Sequence, residues 1–234
     1  MADLSSALSV ALSLVVGFDA EMMGIVRLSL LVSLTAVVLA ALVGLPLGAL
    51  LALVRFPGRG AVVVILNAFM GLPPVVVGLG VYVLLSRAGP LGELGLLFTP
   101  GAMIVAQSLL VLPIIAALSR QVVADLAEEY AEQLRSLNAN LWQVAATLLW
   151  DGRFSLATAV LAGFGRAAAE VGAVMIVGGN MRGVTRTMTT AIALETSKGD
   201  LPLALGLGLV LICIVGLINA AVFWLGAWAR RRLG

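Results

Sequence analysis

Five apolar runs, each about as long as a bilayer is thick, constrain this chain more than any other feature of its sequence. A helix that crosses the hydrocarbon core needs roughly 20 predominantly apolar residues. Hydrophobic residues make up 62% of the chain and charged residues only 11%, which is too little polar cover for a water-soluble domain of this length. We therefore predict an all-α integral membrane protein, with spans at about residues 25–54, 61–86, 102–118, 154–179 and 201–229.

The first twenty residues are predicted to be a separate N-terminal segment. The stretch from Leu4 to Phe18 is apolar, but it is shorter than a comfortable span and lacks the basic start of a signal peptide. We expect residues 1–20 to contain a short interfacial or half-inserted helix that ends at Gly17. Asp19 is the predicted N-cap of the helix that follows.

Several kinds of chemistry are excluded by the residues that the chain lacks. It has no histidine, and its single cysteine, Cys213, leaves no disulfide framework and no metal cluster. No G-x-x-x-x-G-K-[ST] motif is present, so the chain does not bind ATP through a P-loop. We therefore expect a protein that is not an enzyme, that binds no cofactor or metal itself, and that has no nucleic acid partner.

The arginines predict the orientation of the chain in the membrane. A basic turn at Arg55 and Arg59 and the basic tail at 230–234 fall on one side of the five spans, and that side collects the larger number of basic residues. The positive-inside rule then places this side in the cytoplasm. We expect an external N-terminus, a cytoplasmic C-terminus and a cytoplasmic loop at residues 121–151.

The loop at residues 121–151 holds the longest polar stretch of the chain. Its acidic residues border a stripe of apolar residues at helical spacing, which predicts an amphipathic helix. Such a helix lies on the membrane surface, docks into a groove of a partner, or is a solvated connector. The stripe consists of Leu126, Tyr130, Leu134, Leu137 and Leu141.

Two predicted spans contain residues that are unusual in a bilayer. Arg166 and Glu170 are four residues apart, so we expect them on one helical face, either as an internal ion pair or as part of a pathway. Small residues surround them, as at a tight helix interface. Pro73 and Pro74 interrupt the second span, and they predict either a kink or a gate.

Particular motifs resemble those of one transporter family. The sequence EQLRSLNA resembles the EAA motif of ABC-importer permeases, with Asn138 at the position of the family's glycine. The later run GFGRAAAEVGAVMIVGGN, followed by TRTMTTAI and ETSKGD, is similar to the oxyanion-importer permeases and most to their tungstate branch, with the molybdate and sulfate permeases as relatives. GLPPVVVGL in the second span also fits. The resemblance covers residues 25–229.

This resemblance implies a type-I ABC importer permease fold in a prokaryotic cytoplasmic membrane. Two copies of the chain would form the pathway for an oxyanion, and the similarity to the tungstate branch implies that this oxyanion is tungstate. A pair of ABC ATPase subunits would dock at the cytoplasmic face, and an external oxyanion-binding protein would deliver the anion. The cytoplasmic coupling helix is implied at Glu132, Gln133, Leu134, Asn138 and Ala139.

Other residues are expected to line or gate the pathway. The basic residues Arg182, Arg186 and Lys198 of the outer loop either help to receive an anion or form an ordinary solvated surface. A channel or secondary carrier that moves the anion without ATP is the alternative function. The pathway and gate candidates are Pro73, Pro74, Arg166, Glu170, Gly172 and Asn180.

Overall fold

The computed structural model describes residues 4–17 and 19–233, with the side chains of 4–7, 14 and 225–233 left undescribed. All regular elements within these residues are helical. A 3-10 turn lies at Gly92–Leu94. The α-helices are α1 (Leu4–Val16), α2 (Ala20–Leu53), α3 (Arg59–Met70), α4 (Pro74–Leu85), α5 (Pro100–Glu129), α6 (Ala131–Ser136), α7 (Leu141–Asp151), α8 (Arg153–Ala168), α9 (Gly172–Gly178), α10 (Met188–Lys198) and α11 (Leu201–Leu233).

Long apolar helices confirm the predicted class of membrane protein. Within the described residues, α2, α5 and the part of α11 at Leu201–Trp224 are each long and apolar enough to cross a bilayer. Two bent helix pairs, α3 with α4 and α7 with α8, bring the total to five if each pair is one span. The fourth span was predicted at 154–179, from α8 into α9. In the structure α8 instead forms a bent pair with α7, the helix before it.

Local signals in the sequence correctly mark several helix ends. The Asp19 carboxylate accepts a hydrogen bond of 2.9 Å from the Met22 N–H, which confirms the predicted N-cap of α2. Pro74 is the first residue of α4, where a missing N–H costs no hydrogen bond. Since Pro73 is extended and Gly71 ends α3, the predicted interruption of the second span is confirmed.

The predicted continuous helix at 154–179 is wrong. It ends at Ala168, and a new helix, α9, begins at Gly172, so Arg166 and Glu170 do not share one helical face. The buried carboxylate of Glu170 accepts a hydrogen bond of 2.9 Å from the Ala173 N–H. This bond satisfies a donor at the start of α9, so the side chain of Glu170 stabilises the start of the new helix.

Two further predictions about the polar segments require correction. The amphipathic stripe at 126–141 is not one helix, because α5 extends to Glu129, α6 is a separate short helix, and Asn138 interrupts the chain with φ 49°. The outer loop that was expected to carry Arg182, Arg186 and Lys198 is not a loop throughout, because it contains α10. In both places turn residues and caps outweigh the apolar periodicity. A helix is present where the N-terminal one was predicted: α1 ends at Val16, directly before the predicted end at Gly17, whereas Phe18 lies outside the described residues.

The chain forms two compact units. Unit 1 comprises the described residues of Met1–Thr35, Pro73–Gln107 and Ala168–Trp224. Unit 2 comprises those of Ala36–Leu72, Ser108–Ala167 and Leu225–Gly234. A core of unit 1 is formed by Met22, Ile25, Val26, Met188, Ala191 and Leu207.

Small residues allow close helix packing inside unit 2. A Cβ atom placed on Gly48 of α2 would lie 2.5 Å from the carbonyl oxygen of Ala116 in α5. A Cβ on Gly163 of α8 would lie 2.7 Å from a methyl group of Val111, also in α5. Since real Cβ atoms do not approach so closely, α5 packs between two helices whose glycines admit it. Such small-residue contacts are typical of helices in membranes.

Candidate functional site

The implied coupling residues are divided between exposed and anchored positions. Glu132 and Gln133 of α6 are exposed, whereas Leu134 is partly buried. Leu134 packs on a core cluster of unit 2 that includes Val123 and Leu148. One side of α6 therefore holds the helix on the protein, and the other side presents a carboxylate and an amide to the solvent.

A left-handed turn follows α6. Asn138, which stands at the position of the glycine in the EAA motif, has φ 49°, a left-handed conformation that glycine adopts most readily. Asparagine tolerates this conformation better than most residues. The Asn138 N–H donates to Arg135 O at 3.0 Å, and the Ala139 N–H donates to Leu134 O at 3.3 Å. These bonds terminate α6 and reverse the chain towards α7.

The start of α7 is fixed by a capping box that the sequence prediction missed. Asn140 Oδ1 accepts a hydrogen bond of 3.0 Å from the Gln143 N–H, and Gln143 Oε1 accepts one of 2.9 Å from the Asn140 N–H. The reciprocal pattern N-x-x-Q is a recognisable start signal for a helix. Three of the implied coupling residues therefore lie in α6, and the other two, Asn138 and Ala139, lie in the turn between α6 and the capped start of α7.

Large apolar side chains are exposed around this turn. Leu137 is 76% exposed and Trp142 is 71% exposed. Exposed apolar groups next to one another are typical of a surface that a partner covers.

Close to the end of α7, a hydrogen bond with Asp151 raises the pKa of Tyr130, so this phenol stays neutral at any physiological pH.

The break between α8 and α9 is held by Glu170. This residue is only 3% exposed, and its carboxylate caps the Ala173 N–H as described above. Its backbone oxygen accepts a hydrogen bond of 2.7 Å from Thr189 Oγ1 of α10. Glu170 thus ties α9 to α10 through both its side chain and its backbone.

The helices α4 and α9 of unit 1 are in backbone contact. A Cβ atom on Gly78 of α4 would lie 2.7 Å from Ala173 Cα, and a Cβ on Gly172 of α9 would lie 2.8 Å from Val75 Cγ2. The structure therefore brings three pathway candidates to one place in unit 1, because Gly172, Glu170 and Pro74 all stand at the start of these two helices.

Three pathway candidates remain, Asn180, Arg166 and Pro73. Asn180 follows α9 in a left-handed conformation with φ 49°, and its Nδ2 donates to Thr190 O at 3.3 Å. Arg166 belongs to α8 in unit 2. Pro73 is exposed just before α4. Within unit 1, Pro73 and Pro74 thus lie at the start of α4, Glu170 and Gly172 at the start of α9, and Asn180 after its end.

A group of charged residues surrounds the loop between α9 and α10. The guanidinium of Arg182 forms an ion pair with Glu21 of α2, including a hydrogen bond of 2.7 Å from Nε to Oε1. Arg186 Nη1 lies 3.5 Å from Glu195 Oε1, and Lys198 contacts the same carboxylate. The sequence analysis identified the three basic residues but not their acidic partners, which no local pattern indicates.

Comparison with known proteins decides the family. The profile of the family described as "Binding-protein-dependent transport system inner membrane component" matches residues 44–234. The chain belongs to this family. The resemblance inferred from the motifs is therefore confirmed, and so is a multi-pass protein of the inner membrane, which agrees with the helices described above.

Relatives of this inner membrane component carry more specific names. The chain is 42% identical over 213 residues to the tungstate uptake system permease protein of Peptoclostridium acidaminophilum, covering 91% of this chain and 93% of that protein. It is 39% identical over 216 residues to a probable anion ABC transporter permease protein of Haloferax volcanii, covering 90% and 91% of the two chains. The tungstate uptake permease of Campylobacter jejuni is 39% identical over 209 residues, covering 89% of this chain and 87% of that protein.

Proposed function

We propose that the chain is the membrane subunit of an ABC importer for tungstate. The observation that carries this proposal is the 42% identity to a tungstate uptake permease over nine-tenths of both chains. A second tungstate permease and an anion permease at 39% point to the same substrate class. The subunit would bind no cofactor, and a separate ATPase would hydrolyse ATP.

The coupling contact with this ATPase is proposed at α6 and the turn after it. Exposed Glu132 and Gln133 would contact the ATPase, and Leu134 would transmit the movement because it is anchored on the core of unit 2. Asn138 and Ala139 would set the shape of the turn. The left-handed backbone at Asn138 supports this assignment, since the glycine of the EAA motif serves a turn at the same position.

The arrangement of the complete transporter follows from this assignment. We expect two copies of the chain, two ATPase subunits beneath α6 in the cytoplasm, and an external binding protein on the opposite face. The N-terminus would then be external and the C-terminus cytoplasmic, as the distribution of arginines predicts. ATP binding would stabilise one state of the ATPase pair, and this difference would drive the pathway between inward- and outward-facing states.

The pathway itself would include the start of α4 and α9. Broken helices at membrane depth are tolerated where they are buried in protein or line a cavity, and Pro73, Pro74, Glu170 and Gly172 cluster at two such breaks. Arg166 and Asn180 are proposed as further lining or gating residues on α8 and after α9.

Reconstitution tests the proposed function. Proteoliposomes would contain the chain with its partner ATPase, its binding protein and enclosed ATP, and tungsten inside the vesicles would be measured by mass spectrometry. We expect tungsten uptake that requires all three proteins and that excess sulfate inhibits only weakly. Equal uptake by the chain alone, without ATPase or ATP, would instead support a channel or a secondary carrier.

A further inference from the structure

Unit 1 contains a cleft between the first turns of α2 and the loop before α10. Its volume is about 370 Å³, within the range of pockets that hold small molecules. The cleft is lined by Ala20, Glu21, Gly24, Arg182, Val184 and Arg186, together with neighbouring residues. Two of its lining residues are arginines and one is a glutamate, so charged side chains line part of the cleft.

Arg186 is the unusual residue of this cleft. Its side chain is only 13% exposed, and its ion contact with Glu195 is long, at 3.5 Å. Its Nε is buried and has no hydrogen-bond partner among the described residues. A guanidinium has five N–H donors, and a buried donor without an acceptor is costly. Arg186 therefore has donors to offer to an acceptor inside the cleft.

Glu195 neutralises Arg186 only in part. Lys198 Nζ donates to both oxygens of this carboxylate, at 3.1 and 3.3 Å, so two cations share one negative charge. The shorter distances belong to Lys198, which leaves Arg186 as the less compensated cation. In a site with limited access to water such a charge attracts an anion more strongly than an exposed one.

Arg182 adds a second donor at the rim. Its side chain is 73% exposed and is paired with Glu21. Exposed ion pairs contribute little to stability, so Arg182 can exchange this carboxylate for another anion without a large loss. The cleft thus combines one buried guanidinium with one whose exposed ion pair can be exchanged for another anion, and both have the forked geometry that suits oxyanions.

We propose that this cleft binds a tetrahedral oxyanion, held chiefly by Arg186 and secondarily by Arg182. Resting on the proposed function, the anion is the imported tungstate at the outer entrance of the permease, before it reaches the broken helices. The site is distinct from the starts of α4 and α9. It gives the permease an affinity of its own for the anion, separate from that of the binding protein.

Anion binding to the purified chain tests this proposal. Unfolding of the detergent-solubilised protein is followed by intrinsic fluorescence during heating while sodium tungstate is titrated at constant ionic strength. We expect a saturable rise in Tm with tungstate and none with equal concentrations of chloride. Arg186→Gln should weaken the apparent affinity at least tenfold. Arg87→Gln, which removes an exposed arginine of unit 1 outside the cleft, should leave it unchanged.

Two further variants separate binding from a folding defect. Gly24 lines the cleft, and a Cβ atom placed on it meets nothing within 4 Å, so Gly24→Leu should fill the cleft and abolish the tungstate effect while the protein stays folded. Glu195→Gln should strengthen tungstate binding, because it removes the negative charge that competes for Arg186. A purely structural ion pair predicts lower stability in this variant and no gain in affinity.

The outcomes distinguish this site from the proposed function. Equal tungstate affinity in wild type, Arg186→Gln and Gly24→Leu would overturn the site even if the full transporter imports tungstate. Failure of the full transporter to import any oxyanion would instead overturn the function. Nanodiscs with phosphatidylglycerol provide the last arm, because Arg186-dependent protection by this lipid, without protection by tungstate in neutral detergent, would assign the cleft to a lipid phosphate and refute the transported anion.

Discussion

The contact between α4 and α9 gives the sharpest test of the packing in unit 1. Changing Gly78 to alanine would place a Cβ atom 2.7 Å from Ala173 Cα. Ordinary contacts of a Cβ begin at 3.4 Å, so the two helices would have to separate by about 0.7 Å, and a backbone atom cannot rotate away as the end of a side chain can. Overpacking of this kind costs about 1–3 kcal/mol.

Gly80 supplies the matched control for this substitution. It lies in α4 two residues further on, and a Cβ atom placed on it meets nothing within 4 Å. Both substitutions gain the same preference of alanine over glycine in a helix, about 1 kcal/mol. The difference in stability between Gly78→Ala and Gly80→Ala therefore isolates the clash with α9, and we expect it to be about 1–3 kcal/mol.

Thermal unfolding in detergent measures this difference. For a chain of this size a change of 1 kcal/mol shifts Tm by roughly 2–4 °C, so Gly78→Ala should unfold several degrees below Gly80→Ala. Tungstate uptake by reconstituted Gly78→Ala should fall as well, because the start of α9 is displaced. Equal Tm values for the two variants would refute the close approach of the helices and the reasoning built on it.

Three further predictions concern unit 2. Glu132→Lys should abolish ATP-driven uptake while the free energy of unfolding in detergent stays within about 0.5 kcal/mol of wild type, whereas wild-type uptake and normal copurification of the ATPase would remove Glu132 from the coupling surface. Asn138→Gly should preserve or slightly raise Tm and Asn138→Ala should lower stability by about 1 kcal/mol; equal effects would argue against the left-handed turn. Arg59 donates to Leu51 O at 2.7 Å and to Ala52 O at 3.2 Å, so Arg59→Leu should cost about 1.5–3 kcal/mol, while Arg55→Leu serves as the control.

Helix ends set by local chemistry were predictable from the sequence. Asp19 caps α2 through its own side chain, Pro74 lacks the N–H that a helix interior requires, and Asn138 tolerates a left-handed backbone. Each effect involves one residue and its immediate neighbours in the chain. The capping box of Asn140 and Gln143 has the same local character and could have been found in the same way.

Other features depended on contacts that no local pattern encodes. The run at 154–179 is apolar apart from Ser155, Thr158 and the two charged residues, so hydropathy gave no reason to end a helix at Ala168. At the break, the side chain of Glu170 accepts a hydrogen bond from the start of α9, and its backbone oxygen accepts one from Thr189 of α10. The acidic partners of Arg182 and Arg186 likewise come from distant positions, Glu21 in α2 and Glu195 in α10.

By itself the sequence determined the class of protein, the approximate number of spans and the family. These follow from composition and motifs, because the free energy of placing a segment in a bilayer is nearly a sum over its own residues. Only the tertiary structure decided where the fourth span breaks, which glycines admit a neighbouring helix and which arginine remains poorly compensated. Those properties belong to pairs of residues far apart in the chain, and their energies depend on distances that only the packed helices set.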